Sequence, residues 1–203
     1  MKQEEFASVV LNKDMFTKGE LVEFFQFFSS PLVTPVGFSK TRRSSAVSFF
    51  RCARFRSISK DCKSYNVGCK DFLIFCVDKG IRLHGLSFFG SENNDYTVTL
   101  EVKEIGQSTV VSKTETFSSK LMQCKSSSYY GFETVFDPAV SLKKNTRYRI
   151  EADISGPRSW YGCNGCSSVQ KCSVNFTFSS SVHIGGNGTS ESVGQFPEIL
   201  FSV

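Results

Sequence analysis

The 203-residue sequence is poor in histidine and lacks the short motifs that mark common catalytic sites. It has two histidines. Because histidine is the commonest general base at neutral pH and a frequent transition-metal ligand, this disfavours a hydrolytic metalloenzyme or a histidine-based triad. No GxSxG elbow, phosphate-binding loop or HExxH motif occurs. These absences predict a protein that is not an enzyme and that holds no cofactor.

Apolar runs long enough to enter a membrane are also missing. The opening residues, Met1-Lys2-Gln3-Glu4-Glu5, are partly acidic, and no apolar core of signal-peptide length is visible. No run of about 18 apolar residues occurs, so we expect no transmembrane helix and no membrane partner. The sequence therefore predicts a cytoplasmic protein whose eight cysteines are thiols. An extracellular, disulfide-linked domain is the alternative, and thiol titration separates the two.

The first 38 residues have a helical pattern. The segment Thr17-Lys18-Gly19-Glu20 has the form of a capping box, and the apolar positions of 21–28 then mark one face of a short helix. Residues 39–46 are serine-rich and basic, which predicts a linker. Residues 47–203 are predicted to form a separate β domain.

In that β region the apolar residues recur with a period of two. The alternation is clearest at Tyr96–Val102, Tyr148–Ile154 and Cys172–Phe178. Half-buried strands of an antiparallel sheet have this pattern. About nine or more strands without intervening helices predict a mainly β fold, an antiparallel two-sheet β-sandwich of jelly-roll kind. The 21 phenylalanines would fill the space between its sheets.

The same alternation assigns individual side chains to faces of the strands. It places Cys172 on an apolar face, and it places Glu151 and Asp153 on a face in solvent. His84 falls on the polar face of the segment 81–86, so a surface imidazole is expected there.

Basic residues are concentrated between Lys40 and Lys63. The candidates for a basic patch are Arg42, Arg43, Arg51, Arg54 and Arg56, and phenylalanines are interleaved with them. Such a cluster can bind nucleic acid or another anionic surface. A solvated loop followed by an edge strand with a basic polar face is the competing interpretation.

Cysteine spacing offers one candidate metal or redox site. Cys163 and Cys166 form a CxxC pair, which can share a zinc ion or act as a redox couple. A structural zinc site needs four ligands, and no second pair occurs. We therefore expect no metal and interpret these residues as thiols, with the pair kept as the one candidate.

Several motifs in the β region resemble the PHR domain. The segment Gly194-Gln195-Phe196-Pro197-Glu198-Ile199-Leu200-Phe201 is similar to the closing strand of that family, and Asn187-Gly188-Thr189 to the turn before it. The motif Trp160-Tyr161-Gly162 follows the family's order and spacing. The resemblance extends from about residue 47 to residue 203. The CxxC pair departs from the pattern, and Ser64-Tyr65-Asn66-Val67-Gly68 lacks the tryptophan usual before that glycine, so this is a divergent member.

Residues 1–38 resemble the C-terminal end of a BACK region. The resemblance implies the BTB–BACK–PHR architecture, in which the BTB domain engages a cullin-3 ubiquitin ligase and the PHR domain captures the client. A BTB domain is not part of this sequence, and both a fragment of a longer protein and a truncated paralogue fit that observation. The implied function is a non-catalytic protein-interaction module with unidentified protein partners, and nucleic-acid binding is the alternative.

The predicted contact surface of such a module is the loop that holds the single tryptophan. We assign Trp160, Tyr161, Asn164 and Gly165 to it, because tryptophan and tyrosine are enriched at interface hot spots. Loops at one end of a sandwich are also held rigidly while their side chains stay free to bind. A packed corner residue is the alternative for Trp160.

Overall fold

The computed structural model describes residues 49–66, 68–124, 127–180 and 186–203, together with Val22 and Gln26. The chain divides into two units, Met1–Val47 and Ser48–Val203. Val22 and Gln26 are helical. The rest of the predicted helical segment 1–38 and the linker 39–46 lie outside the described residues. The proposed segment boundaries therefore stay predictions.

The second unit is built from β-strands, which confirms the predicted mainly β, antiparallel fold. The strands described are β1 (Phe50–Ala53), β2 (Phe55–Lys63), β3 (Asp71–Val77), β4 (Ile81–Phe89), β5 (Asp95–Glu104), β6 (Thr109–Ser118), β7 (Lys120–Cys124), β8 (Ser127–Leu142), β9 (Arg147–Ser155), β10 (Ser159–Gly165), β11 (Ser168–Lys171), β12 (Val174–Ser179) and β13 (Glu198–Ser202). In the described part of the chain, no helix has the length and apolar character needed to cross a membrane.

These strands form two large sheets and one ribbon. The five-stranded sheet has the order β1-β13-β4-β8-β7, and the six-stranded sheet has the order β11-β12-β3-β9-β5-β6. Strands β2 and β10 pair with each other and form the ribbon. Each strand pairing is antiparallel.

Both large sheets contribute side chains to one hydrophobic core. Phe88 and Phe201 come from the five-stranded sheet, while Leu100, Ile150 and Phe176 come from the six-stranded one, and all five are buried. Each fully buried side chain of this size stabilises the fold by about 1.5–3 kcal/mol. The apolar positions predicted within 96–102 and 148–154 are among the buried residues, which confirms those two alternations.

His84 is buried, so the predicted surface imidazole is wrong. Strand β4 lies between β13 and β8, and both of its faces are covered. His84 is 7% exposed, its Nε2 lies 2.9 Å from Ser202 Oγ, and its ring stacks on Phe49. Burial, assisted by the positive charge of Arg82, lowers the pKa of this imidazole.

Two further face assignments are also wrong. Glu151 is buried on the outer face of the six-stranded sheet, where Lys103 Nζ lies 2.9 Å from its carboxylate and Arg149 also pairs with it. Cys172 is exposed, because it lies with φ of 49° in the turn that precedes β12. Asp153 is exposed, as predicted.

Candidate functional site

The ribbon packs on the outer face of the five-stranded sheet through a second, smaller apolar cluster. Phe55, Phe89, Met122 and Tyr129 are its buried members, and Ile58, Cys124 and Trp160 pack against them. Gly162 of β10 pairs with Ile58 of β2, and a Cβ at Gly162 would lie 2.1 Å from the Phe55 ring. Only glycine allows this approach, so the ribbon is held closely against the sheet.

Trp160 and Tyr130 are brought together by hydrogen bonds to the same glycine. The Gly90 N–H donates to the Tyr130 carbonyl over 2.8 Å, and the Gly90 carbonyl accepts from the Trp160 N–H over 2.9 Å. A Cβ at Gly90 would lie 2.4 Å from Ser119 Oγ, so this junction requires glycine. The two aromatic rings meet edge to face, with centroids 5.5 Å apart and an interplanar angle of 85°.

Leu121 and Lys60 complete a surface that we call the aromatic patch: Lys60, Leu121, Tyr130 and Trp160. Leu121 of β7 is the register partner of Tyr130 and is 59% exposed. The Lys60 ammonium lies 5.1 Å from the centroid of the Trp160 ring, a cation–π arrangement. A hydrogen bond to the Glu92 carboxylate raises the pKa of the Tyr130 hydroxyl. The patch thus combines one exposed aliphatic side chain, two half-buried aromatic rings and one exposed cation.

The segment 186–196 passes beside β10 and is attached to the domain by a buried arginine. Arg54 is 1% exposed. Its guanidinium donates to four backbone carbonyls, those of Phe196 (2.9 Å), Ser190 (2.9 Å), Glu191 (3.0 Å) and Gln195 (2.7 Å). Burial lowers the pKa of Arg54 to about 9, which leaves it charged at neutral pH. The planar guanidinium meets acceptors that a single ammonium could not reach together.

A buried carboxylate holds the other end of this segment. Asp71 accepts hydrogen bonds from Asn187 Nδ2, over 3.1 Å, and from Thr189 Oγ1. Lys63 Nζ lies 3.6 Å from the same carboxylate. The Thr189 hydroxyl in turn accepts from the Gln195 N–H over 2.9 Å. The turn at 187–189 is therefore fixed by a polar network rather than by apolar packing.

Comparisons with known proteins identify this architecture. A family model described as the PHR domain matches residues 53–202. The chain belongs to the PHR domain family. The resemblance predicted from the sequence is thereby confirmed.

The relatives of this PHR domain are longer proteins. BTB/POZ domain-containing protein 6 from Homo sapiens is 30% identical over 205 residues, which cover 99% of this chain and 36% of that protein. BTB/POZ domain-containing protein 6-B from Danio rerio is 29% identical, and 41% of its length is covered. BTB/POZ domain-containing protein 3 from Homo sapiens is 26% identical, and 38% is covered. The chain thus spans well under half the length of these relatives.

The four residues predicted as a contact surface of the PHR domain face three different regions. Trp160 is half-buried, because it packs on the second cluster and also belongs to the aromatic patch. Tyr161 lines a cavity of about 440 Å³ with Val193 and Gly194. Asn164 and Gly165 line an open groove of about 480 Å³ that also includes Arg56. The prediction grouped these four residues in one site because they are neighbours in sequence. In the strand β10 they face different regions.

The predicted basic patch of the PHR domain is not one surface. Arg54 is buried under the 186–196 segment, so its inclusion in the patch is wrong. Arg51 forms ion pairs with Glu133 and, over 3.1 Å, with Glu198. Arg56 is exposed. Arg42 and Arg43 lie outside the described residues. Of the three described arginines, Arg54 is thus buried and Arg51 is paired with carboxylates, so only Arg56 is left to bind an anionic ligand.

Within the described residues, the CxxC pair belongs to no larger cluster of metal-ligating side chains. Cys163 and Cys166 are half-buried at the end of β10. Among the residues that the structure describes, no group of three or more histidine, cysteine, aspartate or glutamate side chains could hold a metal ion.

Leu121 and Tyr130 were missed by the reasoning from sequence. The signal was present, because serines at 126–128 separate Leu121-Met122 from Tyr129-Tyr130, as in a short hairpin. What the pattern does not contain is the contact with Trp160, which lies on the ribbon and meets the Tyr130 ring only in the folded domain.

Proposed function

We propose that this chain is the client-recognition module of a BTB-type cullin-3 ubiquitin ligase adaptor, carried on a jelly-roll-like β-sandwich. The coarse part of this proposal, a protein-interaction module, is supported by membership of the PHR family and by relatives that are named as BTB/POZ domain-containing proteins. In the full architecture a BTB domain would engage cullin-3, in the cytoplasm, while this chain holds the client without catalysing a reaction.

The aromatic patch is the observation that carries the proposal. Exposed aromatic and aliphatic side chains that lie together are typical of binding surfaces, and tryptophan and tyrosine dominate their energetics. Here the backbones of Tyr130 and Trp160 are both hydrogen-bonded to Gly90. Trp160 also packs on a buried cluster. A preorganised patch loses less conformational entropy on binding than a flexible loop would.

Affinity purification with paired variants tests the patch. Leu121→Asp combined with Tyr130→Asp should remove the specific partners of the 203-residue chain while its thermal unfolding stays cooperative. Ile105→Asp combined with Val203→Asp is the matched control, because both side chains are apolar and exposed elsewhere on the domain. If the patch variant and the control capture the same proteins as the unmodified chain, the patch is not the binding surface.

The ligase role needs a separate measurement. Clients that depend on the patch should accumulate in cells when cullin ligases are inhibited, because their ubiquitination would stop. If their abundance and turnover do not change, the chain binds proteins but does not deliver them to a cullin ligase.

A further inference from the structure

A cavity lies between the ribbon and the outer face of the five-stranded sheet, next to the aromatic patch. Its volume is about 240 Å³. Its lining is mostly apolar and consists of Phe55, Arg56, Ile58, Phe89, Cys124, Ser127 and Pro197. Trp160 packs against the same buried cluster as two of these residues, Ile58 and Cys124, so the cavity and the patch share a wall.

The size of the cavity suits one side chain better than a cofactor. Pockets that hold drug-sized molecules usually measure roughly 300–1,000 Å³. A space of about 240 Å³ with apolar walls can instead receive a single aliphatic or aromatic side chain. The entrance has polar character from Arg56 and Ser127, which are both exposed.

Two cations without carboxylate partners stand on either side of Ile58. Arg56, Ile58 and Lys60 occupy alternate positions of β2 and therefore project from the same face of the strand. Arg51 and Lys63, also on the strands β1 and β2, are paired with glutamate or aspartate. Within the part of the chain that the structure describes, Arg56 and Lys60 form no ion pair.

We propose that the cavity receives one apolar side chain of an acidic client segment whose flanking carboxylates pair with Arg56 and Lys60. This inference rests on the proposed function and adds the chemistry of the client. The two cations are four residues apart, which corresponds to about 13 Å along a strand. An extended peptide matches this spacing when an acidic residue stands two positions before, and another two positions after, the apolar residue.

Selection from a displayed library of random dodecapeptides, with the 203-residue chain as bait, tests the inference. We expect enriched peptides to contain an apolar residue with aspartate or glutamate two positions away on each side. A synthetic peptide of that sequence should lose at least about tenfold in affinity for Arg56→Glu combined with Lys60→Glu, because like charges then face each other. Lys79→Glu combined with Lys144→Glu, at exposed positions outside the site, should bind as the unmodified chain does.

A second pair of variants tests the cavity itself. Ser127→Trp would fill its mouth and should abolish binding of the selected peptide in fluorescence anisotropy. Ser128→Trp is the control, because Ser128 is also exposed but does not line the cavity. Both changes are at exposed positions, so cooperative unfolding should be kept, and thermal unfolding checks this.

Several results would overturn the inference. The inference fails if the selected peptides are neutral or basic, or if the unmodified chain enriches no more peptides than Ser127→Trp does as bait. It also fails if Ser127→Trp binds the selected peptide as tightly as the unmodified chain. Displacement of the peptide by a fluorescent oligothymidine would assign the cations to nucleic acid instead. A dimer in light scattering that Ser127→Trp disrupts would assign the cavity to a second copy of the chain. Each of these leaves the proposed function standing if patch-dependent clients are found. If no client depends on the patch, the proposed function is refuted whatever the peptides show.

Discussion

Replacing Arg54 by methionine gives the most direct test of how the 186–196 segment is attached to the domain. Methionine keeps much of the aliphatic stem but removes the guanidinium, which donates four hydrogen bonds to backbone carbonyls and lies 3.9 Å from the centroid of the Phe55 ring. The carbonyls of Ser190 and Glu191 lie in partly exposed surroundings, where water can replace the lost donor.

The loss of stability can therefore be taken from the two buried bonds, to Phe196 and Gln195. Hydrogen bonds to charged groups contribute about 1.5–3 kcal/mol each, so the variant should lose at least about 3 kcal/mol in its free energy of unfolding. Arg54→Lys should lose most of this as well, because one ammonium cannot reach acceptors spread over several residues.

Urea unfolding followed by the fluorescence of the single tryptophan, Trp160, measures the effect on the adjoining ribbon. Arg56→Met is the matched control, since Arg56 is exposed, and exposed substitutions usually change stability by less than about 0.5 kcal/mol. Hydrogen exchange should show faster exchange within the 186–196 segment for the Arg54 variants alone. An Arg54→Met protein as stable as the Arg56→Met control would refute the assignment of Arg54 as the residue that attaches this segment.

Three other measurements test separate parts of the structure. Gly162→Ala should lose about 1–3 kcal/mol, because its Cβ would overlap the Phe55 ring, whereas Gly80→Ala has room and should be nearly neutral in thermal melts. The pKa of buried His84 lies below its ordinary value near 6.5, so protonation favours the unfolded chain, and stability should fall as the pH drops below about 6.5. His84→Gln should flatten that dependence; an unchanged slope would contradict it. Thiol titration in denaturant without reductant should find eight reactive cysteines, and a lower count would point to disulfides.

Local pattern was sufficient where a strand has one face in the core and the other in solvent. The alternations at 96–102 and 148–154 belong to β5 and β9, neighbours in the six-stranded sheet, and their apolar positions are buried. The same rule failed at His84, because β4 is covered on both faces. It failed at Glu151 because Lys103 of the neighbouring strand β5 and Arg149 of its own strand both pair with its carboxylate.

Which charged residue becomes buried depends on contacts between distant parts of the chain. Arg54 and the Phe196 carbonyl are 142 residues apart in sequence. Nothing local distinguishes Arg54 from Arg56. They differ in burial because Arg54, between β1 and β2, donates to carbonyls of the 186–196 segment, whereas Arg56, within β2, is exposed. The candidate site has the same character, since Trp160 could be singled out from composition but Tyr130 and Leu121 join it through strand register.

Periodicity and motifs alone thus predict a β-rich chain that resembles the PHR domain, because period-two burial and turn residues are encoded within short segments. The candidate binding surface, in contrast, is determined by the tertiary structure. Close approach at Gly90 and Gly162, the burial of Arg54 and the contact between the Tyr130 and Trp160 rings each join residues remote in sequence. Long-range packing determines which side chains remain exposed, and that choice creates both the aromatic patch and the cavity beside it.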